Sequence, residues 1–487
     1  MSRWRKLVLT GALTALPAQA AAAGPLGSTG DPIQTSAYAV DLTGGPVISS
    51  TRLVGLAGAY VALADGVDGD PINPAAPAVR VPWSFSHVDY DLSLGITVPS
   101  ALTDSDYFNT GERTVLPESS PGSFVFVDFG ANLQIGTWGV GVSTQAQSYT
   151  VFRNETSRES LEATLGVAHL LLARSWLDGQ LITGVGSRTS QLAVARVDES
   201  GQESSLFEMA AVGFEVGVLI KPNGTPFRIG AAARTPLTPD AEPTSELSPN
   251  AEGDLIIANG SSDTLFLPRQ VTLPWELSVG LALQFGPRPL NPRWINPKYE
   301  LAEERAQLQR RREARGKARA AGGEPRQKAA LDAREATDRA LEDNRIERLG
   351  RELDARLRKR ASAMARPYLL VSTELLMQGP SKDAVGVESF LGRVVNRSGS
   401  QATFSPRLGL ETEAVAGWLR LRGGTYGEPA RADTGSARLH GTLGFDVRVL
   451  SWSVFGLARD DTHWRVSGAL DAAPRYLSWS LSLGVWH

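Results

Sequence analysis

Apolar and polar residues alternate along most of the chain, from about Trp83 to the carboxyl terminus. A period of two predicts β-strands, because successive side chains of a strand point to opposite faces of the sheet. In the clearest runs the apolar residues share one face, and polar residues and glycine occupy the other. The apolar members of these runs are Leu273, Trp275, Leu277, Val279, Leu281, Leu283 and Phe285; Val212, Phe214, Val216, Val218 and Ile220; and Leu439, Leu443, Phe445, Val447 and Val449. The alternation alone fits two folds, a soluble β-sandwich with this face as its core and a membrane β-barrel with this face in lipid.

The lengths of the strands and of their connections favour the barrel. Many strands exceed ten residues, whereas strands of soluble sheets average about five or six. The last strand, Tyr476 to His487, is amphipathic and carries Trp486 next to the chain end. Long polar connections alternate with short turns such as Asp178-Gly179 and Asn223-Gly224. The predicted strands lie at 83–98, 123–133, 138–152, 161–177, 180–197, 206–221, 226–235, 271–285, 368–378, 404–413, 417–427, 437–449, 451–458 and 476–487. The sequence therefore predicts an all-β fold, a transmembrane antiparallel β-barrel of about fourteen strands.

One connection departs from the barrel pattern. Between the eighth and ninth predicted strands, about eighty residues from Pro287 to Pro367 stand where a short turn is due. Residues 300–366 hold 19 lysines and arginines against 13 acidic residues, and their leucines recur at spacings of three, four or seven. This pattern predicts two helices that form a hairpin or short coiled coil, interrupted at Gly322-Gly323-Glu324-Pro325. By strand parity the insertion is periplasmic. A solvated, charged loop is the alternative.

The amino terminus and the composition indicate the compartment. Arg3, Arg5 and Lys6 precede an apolar run and the small residues Ala18-Gln19-Ala20, which is the order of a secretory signal, here residues 1–23. A membrane-spanning helix needs about 18 uncharged apolar residues in succession, and no stretch after this signal is that long. The chain has no cysteine and a net charge of −3, so we expect neither disulfides nor nucleic-acid binding. An exported chain of this kind is predicted to reside in the bacterial outer membrane.

Catalytic chemistry has little support in the sequence. The chain has five histidines, and none stands in a recognisable Ser/His/Asp setting. We therefore expect no enzyme activity, no cofactor and no metal site. The charged residues on the polar strand faces are expected to pair across the lumen of the barrel and to hold a plug inside it. They are Glu215, Glu276, Glu411, Arg228, Arg234, Arg407 and Arg448.

A glycine- and alanine-rich stretch precedes the first strand and lacks its alternation. It contains Gly-x-x-Gly-Ala-Tyr at 55–60, Ala-Asp at 64–65 and Asn-Pro-Ala at 73–75. These elements resemble the amino-terminal hatch of the FadL/TodX family, the outer-membrane transporters of long-chain fatty acids and aromatic hydrocarbons, which have PorV-like relatives. The segments 227–236, 273–281 and 420–426 resemble later strands of the same family. The residues that carry the hatch resemblance are Gly55, Gly58, Ala59, Tyr60, Asp65, Asn73, Pro74 and Ala75.

The resemblance implies a fourteen-stranded barrel whose lumen is filled by the hatch and which passes hydrophobic molecules inward. The implied divisions are a signal peptide at 1–23, a hatch or plug at 24–80, strands 1–8 at 81–286, the helical insertion at 287–367 and strands 9–14 at 368–487. Leu53, Leu56, Tyr60 and Leu63 are the candidates to line a ligand pocket; alternatively they only pack the hatch against the wall. The expected partners are outer-membrane lipid and a hydrophobic small molecule. The alternative function is a scaffold barrel that holds periplasmic or secreted proteins through residues 300–366.

Overall fold

The computed structural model describes most of the chain after the predicted signal peptide, which lies outside the described residues. The described residues are 26–82, 84, 86–99, 106–111, 125–152, 160–198, 200–240, 242–243, 250, 252–259, 263–295, 297–320, 325–453 and 462–486. Within them, the fold is an antiparallel β-barrel with helical elements in its lumen and at one of its ends.

Fourteen long strands form the barrel, each hydrogen-bonded to its neighbours in sequence. They are β1 Val88–Val98, β2 Val125–Ile135, β3 Trp138–Phe152, β4 Ser160–Trp176, β5 Leu181–Val197, β6 Glu203–Ile220, β7 Phe227–Arg234, β8 Glu276–Phe285, β9 Leu369–Gln378, β10 Thr403–Val415, β11 Leu419–Glu428, β12 Arg438–Ser451, β13 His463–Ala473 and β14 Tyr476–Val485. The barrel closes where β1 pairs with β14, from Ser93 opposite Gly484 to Val98 opposite Trp479. The predicted barrel class and strand number are confirmed.

The outer face of the barrel is apolar, as the alternation predicts. Phe214 is 71% exposed and Leu439 is 68% exposed, so large apolar side chains cover the surface that a membrane would contact. On the same strands Glu215 and His440 point inward and are buried. A sandwich core would bury the apolar face instead, and the structure therefore excludes that alternative.

Two predicted strands are misplaced. The run 271–285 is interrupted, because Gln270–Thr272 joins a small inner sheet and Leu273 is buried inside the barrel. Pro274 offers no backbone N–H to the ladder, and β8 begins only at Glu276. Of the thirteenth predicted strand, 451–458, residues 454–458 lie outside the described residues; Ser451 still belongs to β12, and the thirteenth strand of the barrel, β13, is His463–Ala473. Small residues such as Gly468 and Ala469 weaken the alternation there.

The two ends of the barrel differ in their connections. The long connections 99–124, 235–275 and 379–402 meet at one end, which we call the loop end. The short connections 136–137, 177–180 and 221–226 meet at the opposite end, the turn end. In outer-membrane barrels long loops are extracellular and short turns periplasmic. The insertion joins β8 to β9 and therefore emerges at the turn end.

Helices occupy the insertion where the sequence predicts them. After the short helix α2 Pro297–Glu300, α3 Ala302–Ala320 and α4 Pro325–Ser362 form the helical hairpin. Helix α4 has 38 residues and spans about 57 Å at ~1.5 Å per residue. Leu308, Leu353 and Leu357 are buried, but most other side chains of the hairpin are exposed. Among the helices of the described residues, none is both long and apolar enough to cross a membrane.

Ionic contacts join the two long helices. Arg312 donates to Glu342 at 2.8 Å and to Asp343 at 2.7 Å, and Arg315 donates to Glu335 and Glu342 at 2.8 Å each. Hydrogen bonds from Arg315 and Arg312 lower the pKa of Glu342 to about 2. Because the folded pKa is depressed, the contribution of Glu342 to stability is present above its ordinary pKa of 4.5 and lost as the pH falls towards 2.

We expect Glu342→Gln to loosen the pairing of the two helices. Amide hydrogen exchange of residues 335–345 in the full-length protein should accelerate about two- to fivefold at pH 7, the range of an exposed ion pair. After correction for intrinsic rates, wild-type exchange should approach that of the variant below pH 4.5. Glu347→Gln is the matched control, since Glu347 pairs with Arg351 on the same helix. Equal exchange in both variants would contradict a role for the interhelical ion pairs.

Candidate functional site

Residues 50–80, here called the luminal segment, lie inside the barrel. The segment begins with the helix α1 Thr51–Gly55 and continues through short turns to Arg80. Ala59, Tyr60, Asn73 and Ala75 of the resemblance motif are fully buried. The Asn73 side chain donates to the Val61 carbonyl at 2.8 Å and accepts from the Ala75 N–H at 3.0 Å, so it fixes the turn before Pro74. Gly58 and Gly66 have φ of 72° and 63°, values that favour glycine.

Glycines of the barrel wall allow the luminal segment to approach closely. A Cβ atom on any of four inward glycines would come within 1.9–2.1 Å of an atom of the segment. The pairs are Gly139 with the Pro77 carbonyl, Gly184 with the Pro74 carbonyl, Gly217 with the Asn73 side chain, and Gly230 with the Val61 carbonyl. The glycine-rich inner face therefore forms the seat of the segment.

Glu374 on β9 holds the middle of the luminal segment. Its Oε2 atom accepts the backbone N–H groups of Tyr60 at 2.9 Å and Val61 at 2.8 Å. Its Oε1 atom accepts from Arg407 at 3.4 Å, and Arg407 also donates to the Gly58 carbonyl at 3.3 Å. One carboxylate thus satisfies two buried N–H groups that no secondary structure pairs.

The predicted luminal charges are paired. Arg52 of the luminal segment donates to Glu411 at 3.0 Å, and Arg422 joins Glu411 to Asp446. Arg465 donates to Asp68 of the segment at 2.6 Å. Of the seven residues singled out in the sequence, six take part in such pairs, namely Glu215, Glu276, Glu411, Arg228, Arg234 and Arg407, and Arg448 lines a cavity at the turn end.

The pKa values of two aspartates of the luminal segment are shifted in opposite directions. Burial tends to raise the pKa of Asp65, but the charges of Arg228 and Arg52 outweigh it and keep this pKa below its ordinary value. The contribution of ionised Asp65 to stability is therefore fully present above its ordinary pKa of 3.8 and is lost as the pH falls from there through the lowered pKa. Burial raises the pKa of Asp70 well above its ordinary value, although Asn132 donates to it at 3.0 Å. Among the described residues, no group of three or more His or acidic side chains is placed to hold a metal ion.

The loop half of the lumen is filled by apolar side chains. Residues 26–48 run through it, and Ala39–Asp41 forms a parallel sheet with Gln270–Thr272 and Ala384–Gly386. We call the buried side chains there the loop-end apolar cluster. It includes Tyr38, Val40, Leu42, Leu165, Leu192, Met209, Leu267, Leu273 and Phe390.

A central cavity of about 210 Å³ lies between this cluster and the luminal segment. One part of its wall is apolar, with Leu42, Val47, Ile48, Leu53, Val167 and Leu376. The other part carries Arg188, Arg234, Glu276, Glu374 and Arg407, all engaged in ion pairs. Of the four predicted lining residues, Leu53 contacts the cavity. Leu56, Tyr60 and Leu63 pack with Ala282 and Leu370 of the wall.

Two buried histidine clusters were not predicted. His440 lies between Glu428 and Asp471, at 2.6 Å and 2.9 Å. His169 contacts Glu215 at 2.8 Å. Both histidines occupy inward strand positions, and that parity is the one signal in the sequence that places them in the lumen.

Comparison with known proteins gives structural matches. No family model and no curated protein matches the chain. The P. putida toluene transporter TodX is 11% identical, with 91% of this chain and 99% of that chain covered and a TM-score of 0.48. A Pseudomonas aeruginosa FadL homologue is 10% identical, with 91% and 99% covered and a TM-score of 0.46. The CymD monoaromatic hydrocarbon channel is 9% identical, with 89% and 95% covered and a TM-score of 0.46. The chain is similar to barrels of the FadL/TodX type. Two of these neighbours are named as a channel and a transporter, and none of the three names is that of an enzyme.

Proposed function

We propose that this barrel carries hydrophobic small molecules across the outer membrane, from the loop end through the central cavity and past the luminal segment. The observation that carries the proposal is the apolar filling of the loop half of the lumen, which continues into the apolar wall of the central cavity. A pore for polar solutes has a hydrated polar lumen instead. The hatch-like motif of the luminal segment is consistent with the same class of ligand.

The size and polarity of the cavity favour an aromatic hydrocarbon over a fully enclosed long-chain fatty acid. An apolar protein cavity of about 150 Å³ binds benzene, and the central cavity of about 210 Å³ is moderately larger. The arginines of its wall are already paired with Glu215, Glu276 and Glu374. A ligand carboxylate would therefore have to displace a buried acidic partner, whereas an uncharged ring need not.

Filling the cavity tests this function. We expect Val167→Trp to lower uptake of labelled toluene at least tenfold, in cells and in liposomes, because the indole would occupy the apolar part of the cavity. Oleate uptake is measured in parallel to separate the two ligand classes. Leu170→Trp is the matched control, since Leu170 is on the same strand but faces outward and is 57% exposed. Unchanged toluene uptake by Val167→Trp, or equal losses in both variants, would count against the proposed route.

The scaffold function is the second candidate. The helical hairpin leaves most of its charged side chains exposed, including Arg356, Arg358, Lys359 and Arg360 near the end of α4. Such a surface suits a partner with an acidic face. Replacing residues 301–363 by a short linker distinguishes the candidates. Intact uptake with loss of a periplasmic partner supports the scaffold, and loss of uptake alone opposes it.

A further inference from the structure

The base of the insertion lies against the luminal segment. We define this insertion base as residues 287–295 and 366–368, which lead into and out of the helices. Leu290 and Tyr368, one from each side of the base, are each 5% exposed and belong to the same apolar cluster as Tyr60 and Leu63 of the luminal segment. An appendage attached only by flexible connections would have exposed ends. Here Leu290 and Asn291 of one connection and Tyr368 of the other are buried in the interior of the barrel.

A single guanidinium group joins the luminal segment to the insertion base. Arg228 on β7 is fully buried. It donates to the Leu63 carbonyl at 2.8 Å and to Asp65 at 2.7 Å on one side. On the other side it donates to the Asn291 side chain at 2.8 Å and to the Leu290 carbonyl at 3.0 Å. The planar fork fixes these four acceptors relative to one another. Movement of either segment would leave a buried donor unpaired, which is unfavourable.

Two further contacts join the same parts of the molecule. Glu411 accepts from the Tyr368 hydroxyl at 2.7 Å and from Arg52 at the start of the luminal segment at 3.0 Å. At the other end of the segment, the Arg80 guanidinium lies 4.0 Å from the centre of the Trp294 ring. The beginning, middle and end of the luminal segment therefore each contact the insertion base, directly or through one shared side chain.

We infer that the helical hairpin regulates the luminal segment, so that displacement of the hairpin at the turn end shifts the segment between its seated and released positions. The inference rests on the proposed function, in which release of the segment opens the route. Displacement of the hairpin is expected to move the insertion base, and the insertion base to move the luminal segment that it contacts. Energetic coupling between two sites is reciprocal. Disturbing the segment must therefore also change the position of the hairpin.

Thiol chemistry tests the coupling, because the native chain has no cysteine. Ser50→Cys is a conservative reporter, since Ser50 is buried and its hydroxyl has no hydrogen-bond partner within the described residues. We expect Asn291→Ala combined with Trp294→Ala to raise the rate at which the introduced thiol reacts with a water-soluble maleimide at least tenfold. Arg293→Gln is the control, because Arg293 pairs with the exposed Asp178 of a turn and not with the segment; it should change the rate less than twofold.

The reverse direction uses spin labels at Leu341→Cys on α4 and Leu177→Cys in a turn of the barrel, both exposed positions. Asp65→Asn, which weakens the segment's contact with Arg228, is expected to shift or broaden the distribution of distances between the labels.

A conservative variant in the thiol assay recognises a folding defect. Trp294→Phe, used in place of Trp294→Ala, keeps an aromatic ring against Arg80. It should return the reaction rate of the thiol at position 50 part of the way to the rate without base substitutions. The inference would be overturned if only one of the two readouts changed, the thiol reaction rate or the distance between the labels, or if neither changed. Neither assay uses a ligand, so failure of toluene uptake bears on the proposed function alone.

Discussion

Replacing Glu374 by alanine is expected to release the luminal segment. The Tyr60 and Val61 N–H groups would lose their common acceptor and Arg407 would lose an ionic partner, all within the barrel. Each orphaned buried polar group costs about 1–3 kcal/mol. The two N–H groups alone thus cost roughly 2–6 kcal/mol, and because every ~1.4 kcal/mol is tenfold, the released population should rise about thirtyfold or more.

Conductance in planar lipid bilayers measures the effect of Glu374→Ala. A released segment opens the turn half of the lumen, and residues 26–48, which precede the segment directly in the chain and run through the loop half, are expected to move with it. Cells that produce the variant should also become sensitive to a bulky hydrophilic antibiotic. Glu374→Gln keeps one acceptor oxygen and should give an intermediate result. Glu347→Gln removes the same charge from the exposed surface of the hairpin and should behave as wild type. Wild-type conductance in Glu374→Ala would mean that the other contacts hold the segment unaided.

Much of the barrel could be predicted because lipid imposes a simple pattern on every strand. A side chain such as Phe214 must be apolar at a position that contacts the membrane, whatever its neighbours are. The prediction was wrong where that requirement is absent. Leu273 is apolar because it packs in the loop-end apolar cluster, and Pro274 ends the ladder before the alternation ends. Along β13, small residues at Gly468 and Ala469 leave few large side chains to mark a face.

The contacts of the luminal segment could not be predicted from the sequence, for a different reason. Parity places Arg228 and Glu411 in the lumen, but it does not say which acceptor or donor each meets. Arg52 and Glu411 are 359 positions apart, and their meeting depends on the register of every strand between them. Glu374 was not singled out, because its two closest contacts are backbone N–H groups, which any sequence supplies.

The candidates to line a ligand pocket show the same limit. Leu53, Leu56, Tyr60 and Leu63 are equally apolar in the sequence, yet of these four only Leu53 contacts the central cavity. Which of these side chains faces the cavity depends on how the segment is oriented about its own axis. The turn at Asn73 and the contacts with the glycines of the wall fix that orientation. The apolar residues around Tyr38 and Val40 carry no hatch motif of their own. The resemblance assigns them to the hatch at 24–80, but nothing in their pattern predicts that they fill the loop half of the lumen.

Substituting Gly184 by valine is expected to prevent the luminal segment from seating. A Cβ atom at this position would lie 1.9 Å from the Pro74 carbonyl oxygen, so the segment must move away from the wall. Overpacking of this kind costs about 1–3 kcal/mol, and we expect bilayer conductance to rise about tenfold. Gly441→Val is the matched control. It also adds a valine to a β-strand, but at an outward position with nothing within 4 Å, and it should leave conductance unchanged.

The double variant Gly184→Val with Glu374→Ala separates a common cause from two independent ones. If both substitutions shift the same equilibrium between the seated and the released segment, their free-energy costs add and the increases in released population multiply. Conductance of the double variant should then approach the product of the two single increases, until release is complete. Conductance that only equals the sum of the two single increases would show that Gly184→Val perturbs the barrel wall itself. The glycine at 184 would then serve strand packing rather than the seat of the segment.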